Sequence, residues 1–116
     1  MKSHSHILAI ITLMLLAATI VPSRSASAAD NATPPVAIKI DNFSFTPQTL
    51  TVPVGTEVTW ANQDDIPHTV VSDDKTTFKS RALDTDEKFT FTFTKQGTYT
   101  YFCSIHPKMT AKVAVQ

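Results

Sequence analysis

From residue 36 onward the chain alternates apolar and polar residues at a period of two, the pattern of strands with one face buried. Val36, Ile38 and Ile40 share one face. Gln48 to Val52 reads as a strand between Pro47 and Pro53, and Val52, Val54, Val58 and Trp60 continue the apolar pattern around a turn. Phe89, Phe91 and Phe93 alternate with Thr90, Thr92 and Thr94, which predicts a half-buried antiparallel strand. Tyr99, Tyr101 and Cys103 fall on one face of the next run, and Val113 and Val115 point inward from a last strand that includes Lys112. Gly55 and Gly97, the only two glycines, each separate two strand-like runs, where a turn can take positive φ. Residues 72–87 are polar and weakly patterned, and predict a connection with one short strand or turn near Phe78. No segment after residue 28 carries a helical repeat. About seven to eight short strands in so short a chain predict an all-β fold, a Greek-key β-sandwich.

The first residues follow a different rule. Lys2 precedes an uncharged apolar run from Ile7 to Val21, and Ala26-Ser27-Ala28 offers a small-residue cleavage site. The run is about 15 residues, short of the roughly 20 that span a bilayer. Residues 1–28 therefore read as a signal peptide and 29–35, ending in Pro34 and Pro35, as a flexible lead-in to a single domain over 36–116. This predicts a periplasmic or secreted protein with no stable membrane insertion of the mature form. His4 and His6 would leave with the leader. Asn31-Ala32-Thr33 matches a glycosylation sequon by chance composition.

Charge narrows the partners. Removal of residues 1–28 takes away Lys2 and Arg24 of ten basic residues and none of the ten acids, so the net charge falls from zero to −2. Nothing here is basic enough for nucleic acid. The single cysteine, Cys103, excludes an internal disulfide. A lone thiol in an exported protein is expected to be buried, shared with another chain, or bound to metal.

The chemistry concentrates in Tyr101-Phe102-Cys103-Ser104-Ile105-His106-Pro107-Lys108-Met109, a loop between two strands with C-x2-H-x2-M spacing. A second imidazole lies upstream, in Asp64-Asp65-Ile66-Pro67-His68-Thr69-Val70. Two imidazoles and a thiolate with a weak axial thioether suit a copper ion that must be acceptable as both Cu(I) and Cu(II). Each residue alone has a blander reading: His68 as a structural histidine, Cys103 as a small buried hydrophobe, Met109 as core filler. A cysteine nucleophile is disfavoured because His106 sits only three residues away on the same loop. A structural zinc site usually takes four Cys or His ligands, and the chain after the leader offers three. Asp64, Asp65, Asp73 and Asp74 lack calcium-loop spacing and read as solvated loop residues.

These segments resemble the cupredoxins, and the short ligand loop is similar to that of the amicyanin and plastocyanin-like group. The resemblance runs through Phe43-Ser44-Phe45-Thr46-Pro47, Val58-Thr59-Trp60-Ala61-Asn62, Pro67-His68-Thr69-Val70 and Gly97-Thr98-Tyr99-Thr100-Tyr101-Phe102-Cys103. It implies a cupredoxin-like sandwich holding one copper ion on His68, Cys103, His106 and Met109. It implies an electron carrier, a monomer meeting redox protein partners transiently through His106. Ile66, Pro67, Ile105 and Pro107 are the expected docking patch. Two positions depart from the family pattern. Thr69 stands where many members have Asn, which puts the tie between the two ligand loops in question, and Lys108 sits where a docking patch is more often apolar. An alternative with the same ligands is copper sequestration or delivery outside the cytoplasm. A copper enzyme is disfavoured, since His68 and His106 are the only histidines after the leader and leave none for an open second site.

Overall fold

A computed structural model describes residues 33–116. The predicted leader, most of the lead-in, and Asn31 and Ala32 of the sequon lie outside the described residues. Eight strands follow in order: β1 Val36–Asp41, β2 Ser44–Thr46, β3 Thr49–Val52, β4 Thr56–Asn62, β5 Val71–Ser72, β6 Lys88–Phe93, β7 Gly97–Phe102 and β8 Thr110–Val115. They form two four-stranded sheets, ordered β2-β1-β4-β6 and β3-β8-β7-β5. Every connection from β2 to β7 passes from one sheet to the other. That crossing makes the sheets mixed: β1 runs parallel to β4 with Ile38 opposite Trp60, and β3 runs parallel to β8 with Leu50 opposite Val113. The remaining pairs are antiparallel, including β6 on β4 as its alternation predicts.

The period-two pattern decides which side chains fill the space between the sheets. Ile38, Ile40, Val58, Trp60 and Phe93 enter it from the first sheet, and Val52, Tyr101, Val113 and Val115 from the second. Trp60 is fully enclosed, with Phe78, Phe89, Phe93 and Tyr101 at ring-centroid distances of 5.6, 5.7, 6.4 and 5.6 Å. Such packing makes Trp60 the largest single apolar contribution to the core. Phe89 and Phe91 stay half-buried because β6 is an edge strand. Gly55 adopts φ +92° in the β3–β4 turn, where its N–H donates to the Phe93 carbonyl at 2.6 Å, so conformation rather than crowding demands glycine.

Two expectations change. Val54 does not continue the buried face of Val52. It sits in the β3–β4 turn and is 45% exposed, because the turn ends the alternation one step earlier. The connection 73–87 is less open than its polarity predicts. Phe78 and Leu83 are both buried, and single bridges pair Val71 with Lys79 and His68 with Leu83. This segment forms the floor under one end of the sandwich, where the predicted ligands lie.

Candidate metal centre

Two loops at one end of the sandwich bring the predicted ligands together. His68 lies between β4 and β5, with its backbone fixed by reciprocal hydrogen bonds to Leu83 at 3.1 and 2.7 Å. Asn62, the last residue of β4, shapes this loop by donating from Nδ2 to the carbonyls of Ile66 and Leu83, both at 2.8 Å. Cys103 directly follows β7, so the buried phase of Tyr101 carries on to its sulfur. The loop from Cys103 to Met109 is closed by backbone bonds, from the N–H of Cys103 to the Met109 carbonyl at 3.1 Å and from the N–H of Met109 to the His106 carbonyl at 2.9 Å. His68 and Cys103 are fully buried, Met109 is buried, and His106 is half-buried.

Both imidazoles turn Nδ1 toward the thiol. The Cys103 Sγ lies 3.7 Å from His68 Nδ1 and 3.8 Å from His106 Nδ1, and the three donor atoms all fall within 4.8 Å of one another. A trigonal first-row metal with bonds of about 2.3 Å to sulfur and 2.0 Å to nitrogen needs S···N edges of roughly 3.7 Å. The donor triangle therefore fits one such ion without rearrangement. Its mixture of one thiolate and two imidazoles is the set that copper uses when it carries electrons.

The surroundings prepare the sulfur for metal. Burial pushes the Cys103 thiol up, but the Thr69 and His106 backbones and the two imidazoles beside the sulfur together bring it down to about 6. The Thr69 N–H reaches Sγ at 3.3 Å. The two ligand loops are joined by the Thr69 side chain. Its Oγ1 accepts the Ser104 N–H at 2.7 Å and lies 2.7 Å from the Ser104 hydroxyl. Thr69 thus supplies the tie that its departure from Asn put in question.

The family model for the Cupredoxin-like domain matches residues 8–115. The chain belongs to the cupredoxin family. It is 33% identical over 99 residues to an amicyanin from Paracoccus denitrificans, covering 82% of this chain and 73% of that protein. The structure of a purple cupredoxin from Nitrosopumilus maritimus matches at a TM-score of 0.65 and 35% identity, covering 70% of this chain and 99% of that one. A copper-containing nitrite reductase from Thermus scotoductus matches at 0.66 and 35% identity, covering 71% of this chain but only 22% of the reductase. The same domain is therefore also built into enzymes. With its amicyanin and plastocyanin relatives, this cupredoxin is a mononuclear blue-copper protein of electron transfer.

Two residues of the cupredoxin's metal end escaped the reading of its sequence. Phe43 packs edge-on against His68 and His106, with centroids 5.6 and 5.1 Å away. Asp64 is not a solvated loop residue. It is only 9% exposed, and its Oδ2 lies 2.7 Å from His68 Nε2. The charges at 73 and 74 do stay on the surface, where Asp74 accepts the N–H groups of Thr76 and Thr77 and shapes a turn. The surface around His106 is concave. An open concavity of about 480 Å³ is lined by Phe43, Ile105, His106, Pro107, Lys108 and Met109. Ile105 and Pro107 of the expected patch line it together with the Phe43 ring, and Ile66 and Pro67 lie outside it. In the sequence Phe43 stood only within the segment Phe43 to Pro47 that resembles the cupredoxins, out of phase with the inward face of Ile38 and Ile40.

Proposed function

We propose that His68 Nδ1, Cys103 Sγ and His106 Nδ1 would hold a copper ion, with the Met109 thioether as a weaker further donor, and that the exposed edge of His106 would be the route for electrons. Bound copper supplies the one-electron Cu(I)/Cu(II) couple. The residues of this chain do the rest. His68 and Cys103, buried and braced by Leu83 and Thr69, hold the donor triangle still, which keeps reorganisation small when the charge changes. His106 reaches from the same triangle to the concavity. The apolar rim of Phe43, Ile105 and Pro107 removes water from a small contact, as short-lived redox encounters require. Lys108 on that rim favours a partner with an acidic site beside its own redox centre.

The observation that carries this reading is the convergence of three donor atoms from two separate loops at trigonal spacing. The chain acts as a carrier rather than an enzyme, because both histidines of the described residues point into one site. It works as a monomer outside the cytoplasm, with residues 1–28 removed as a leader. Among the described residues no helix is long and apolar enough to cross a membrane.

The test is the optical spectrum of the purified protein with Cu(II). An intense red absorption is expected from the thiolate–copper bond, with one copper per chain. Cys103→Ser should abolish that absorption while the far-ultraviolet circular dichroism stays that of a β-sandwich. Strong absorption persisting in Cys103→Ser would remove Cys103 from the ligand set.

A further inference from the structure

The Asp64 carboxylate touches three groups that belong to two separate parts of the metal end. Its Oδ2 lies 2.7 Å from Nε2 of His68, the ring nitrogen turned away from the donor triangle. The same oxygen accepts the Phe43 N–H at 3.0 Å, and Oδ1 accepts the Asn42 N–H at 2.6 Å. Those two N–H groups converge because Asn42 and Phe43 both take left-handed backbone conformations, with φ of +51° and +57°. Neither is glycine, so the turn carries a conformational cost that the carboxylate bonds offset. The backbone of Asp64 is itself pinned. Its N–H donates to Asn62 Oδ1 at 3.0 Å, and its carbonyl accepts the Thr85 hydroxyl at 2.7 Å. Two backbone N–H groups and the His68 ring thus converge on the two oxygens of this carboxylate, a set of partners that suits an acceptor-only charged group.

We propose that Asp64 is a positioning residue of the copper site, which holds His68 with its proton on Nε2 and clamps the Asn42–Phe43 turn so that the Phe43 ring braces both imidazoles. The inference rests on the reading that Nδ1 of His68 is a ligand. A neutral imidazole has one proton, and the Asp64 contact places it on Nε2, which frees Nδ1 for metal. The carboxylate also sets a fixed negative charge one imidazole away from the ion, where it stabilises Cu(II) more than Cu(I). One side chain thereby links the buried ligand, the exposed ligand and the aromatic rim that a partner meets.

Copper-loaded protein and three variants separate this from a merely structural role. Asp64→Asn keeps the size of the side chain and removes the charge. It should keep the red absorption but shift the Cu(II)/Cu(I) ratio at a fixed solution potential about tenfold toward Cu(I), because the nearby charge that favours Cu(II) is gone. By the one-electron conversion that is ~59 mV upward. Asp64→Glu keeps the charge and should return most of the shift. Phe43→Ala leaves the His68 contact in place and should broaden the absorption with a smaller change in potential. A potential in Asp64→Asn equal to that of the unaltered protein overturns the proposal. If Asp64→Asn fails to fold, nuclear magnetic resonance of the unaltered protein decides instead. The His68 Nε2–H proton should be strongly downfield and slow to exchange, and a fast-exchanging proton, or one on Nδ1, overturns the proposal. That measurement works without copper, whereas failure of the ligand reading would show as a missing red absorption in the unaltered protein.

Discussion

The two histidines of the site share a side-chain type and, in the proposed centre, a metal, but almost nothing else. His68 is fully buried, its backbone bridged to Leu83 and its outer nitrogen held by Asp64. His106 is half-buried on a loop of seven residues from Cys103 to Met109, closed by backbone bonds and covered on one side by the Phe43 ring. One half of the centre is thus enclosed and pinned, and the other is open to the surface, where the proposed function puts the partner contact. An electron carrier needs both properties at once. The buried half keeps geometry constant between oxidation states, and the exposed half lets a partner approach the metal.

The largest expected break in this comparison comes from deleting each imidazole. His68→Gly and His106→Gly should both lose the red absorption. Added imidazole should restore it in His106→Gly, where the vacated ring opens onto the concavity of about 480 Å³. It should not do so in His68→Gly, where the space is closed. Equal recovery in the two variants, followed by optical titration with imidazole, would erase the distinction between the halves.

A second contrast concerns stability. Leu83, 1% exposed, supports the His68 side, whereas Ile105, 44% exposed, lies on the His106 side. Leu83→Ala should cost about 2–5 kcal/mol and Ile105→Ala no more than about 0.5 kcal/mol. Denaturant unfolding of the metal-free proteins measures both. A cost above about 2 kcal/mol for Ile105→Ala would mean that the contact surface is part of the core.

The thiol between the two halves gives the metal-free protein a pH dependence. Cys103 titrates at about 6 in the folded chain against an ordinary 9.0. A depressed folded value contributes stability that is fully present above the unfolded value and lost as pH falls. The melting temperature of the metal-free protein should therefore rise from about pH 6 to about pH 9, and Cys103→Ala should flatten that rise. A rise unchanged in Cys103→Ala would assign it to other groups.

The smallest effect belongs to the tie between the loops. Thr69→Ala removes the hydroxyl contacts to Ser104 but leaves the backbone N–H on the sulfur. It should cost about 1 kcal/mol and leave the absorption maximum in place. A displaced maximum would show that the hydroxyl, 3.7 Å from Sγ, also acts on the sulfur directly.

The sandwich and the grouping of His68, Cys103 and His106 were legible because both rest largely on short-range order. Alternation in Val36–Ile40, Phe89–Phe93 and Tyr99–Cys103 reports one buried face per strand, and a strand's period is a local property. The spacing of Cys103, His106 and Met109 is likewise contained in one loop. His68 was found because its type and its neighbours complete that set. The contacts of Asp64 and Phe43 were not found, since Gln63-Asp64-Asp65 has the composition of solvated loop and nothing near Phe43 in the chain points to the two histidines.

By itself the sequence determined the strands, the inward residues and the chemistry of the donors, because these depend on side-chain type and on neighbours a few positions away. Only the tertiary structure decided that β1 runs parallel to β4, that Phe78 and Leu83 leave a polar segment to close the core, and that Val54 faces solvent. It also decided the contacts of Asp64, 21 and 22 residues from the two N–H groups it binds, and of Thr69, 35 residues from Ser104. The physical reason is the same in each case. A carboxylate or hydroxyl is soluble anywhere on a chain, and it becomes part of a metal site only where folding removes its water and leaves a particular imidazole or N–H in place of it.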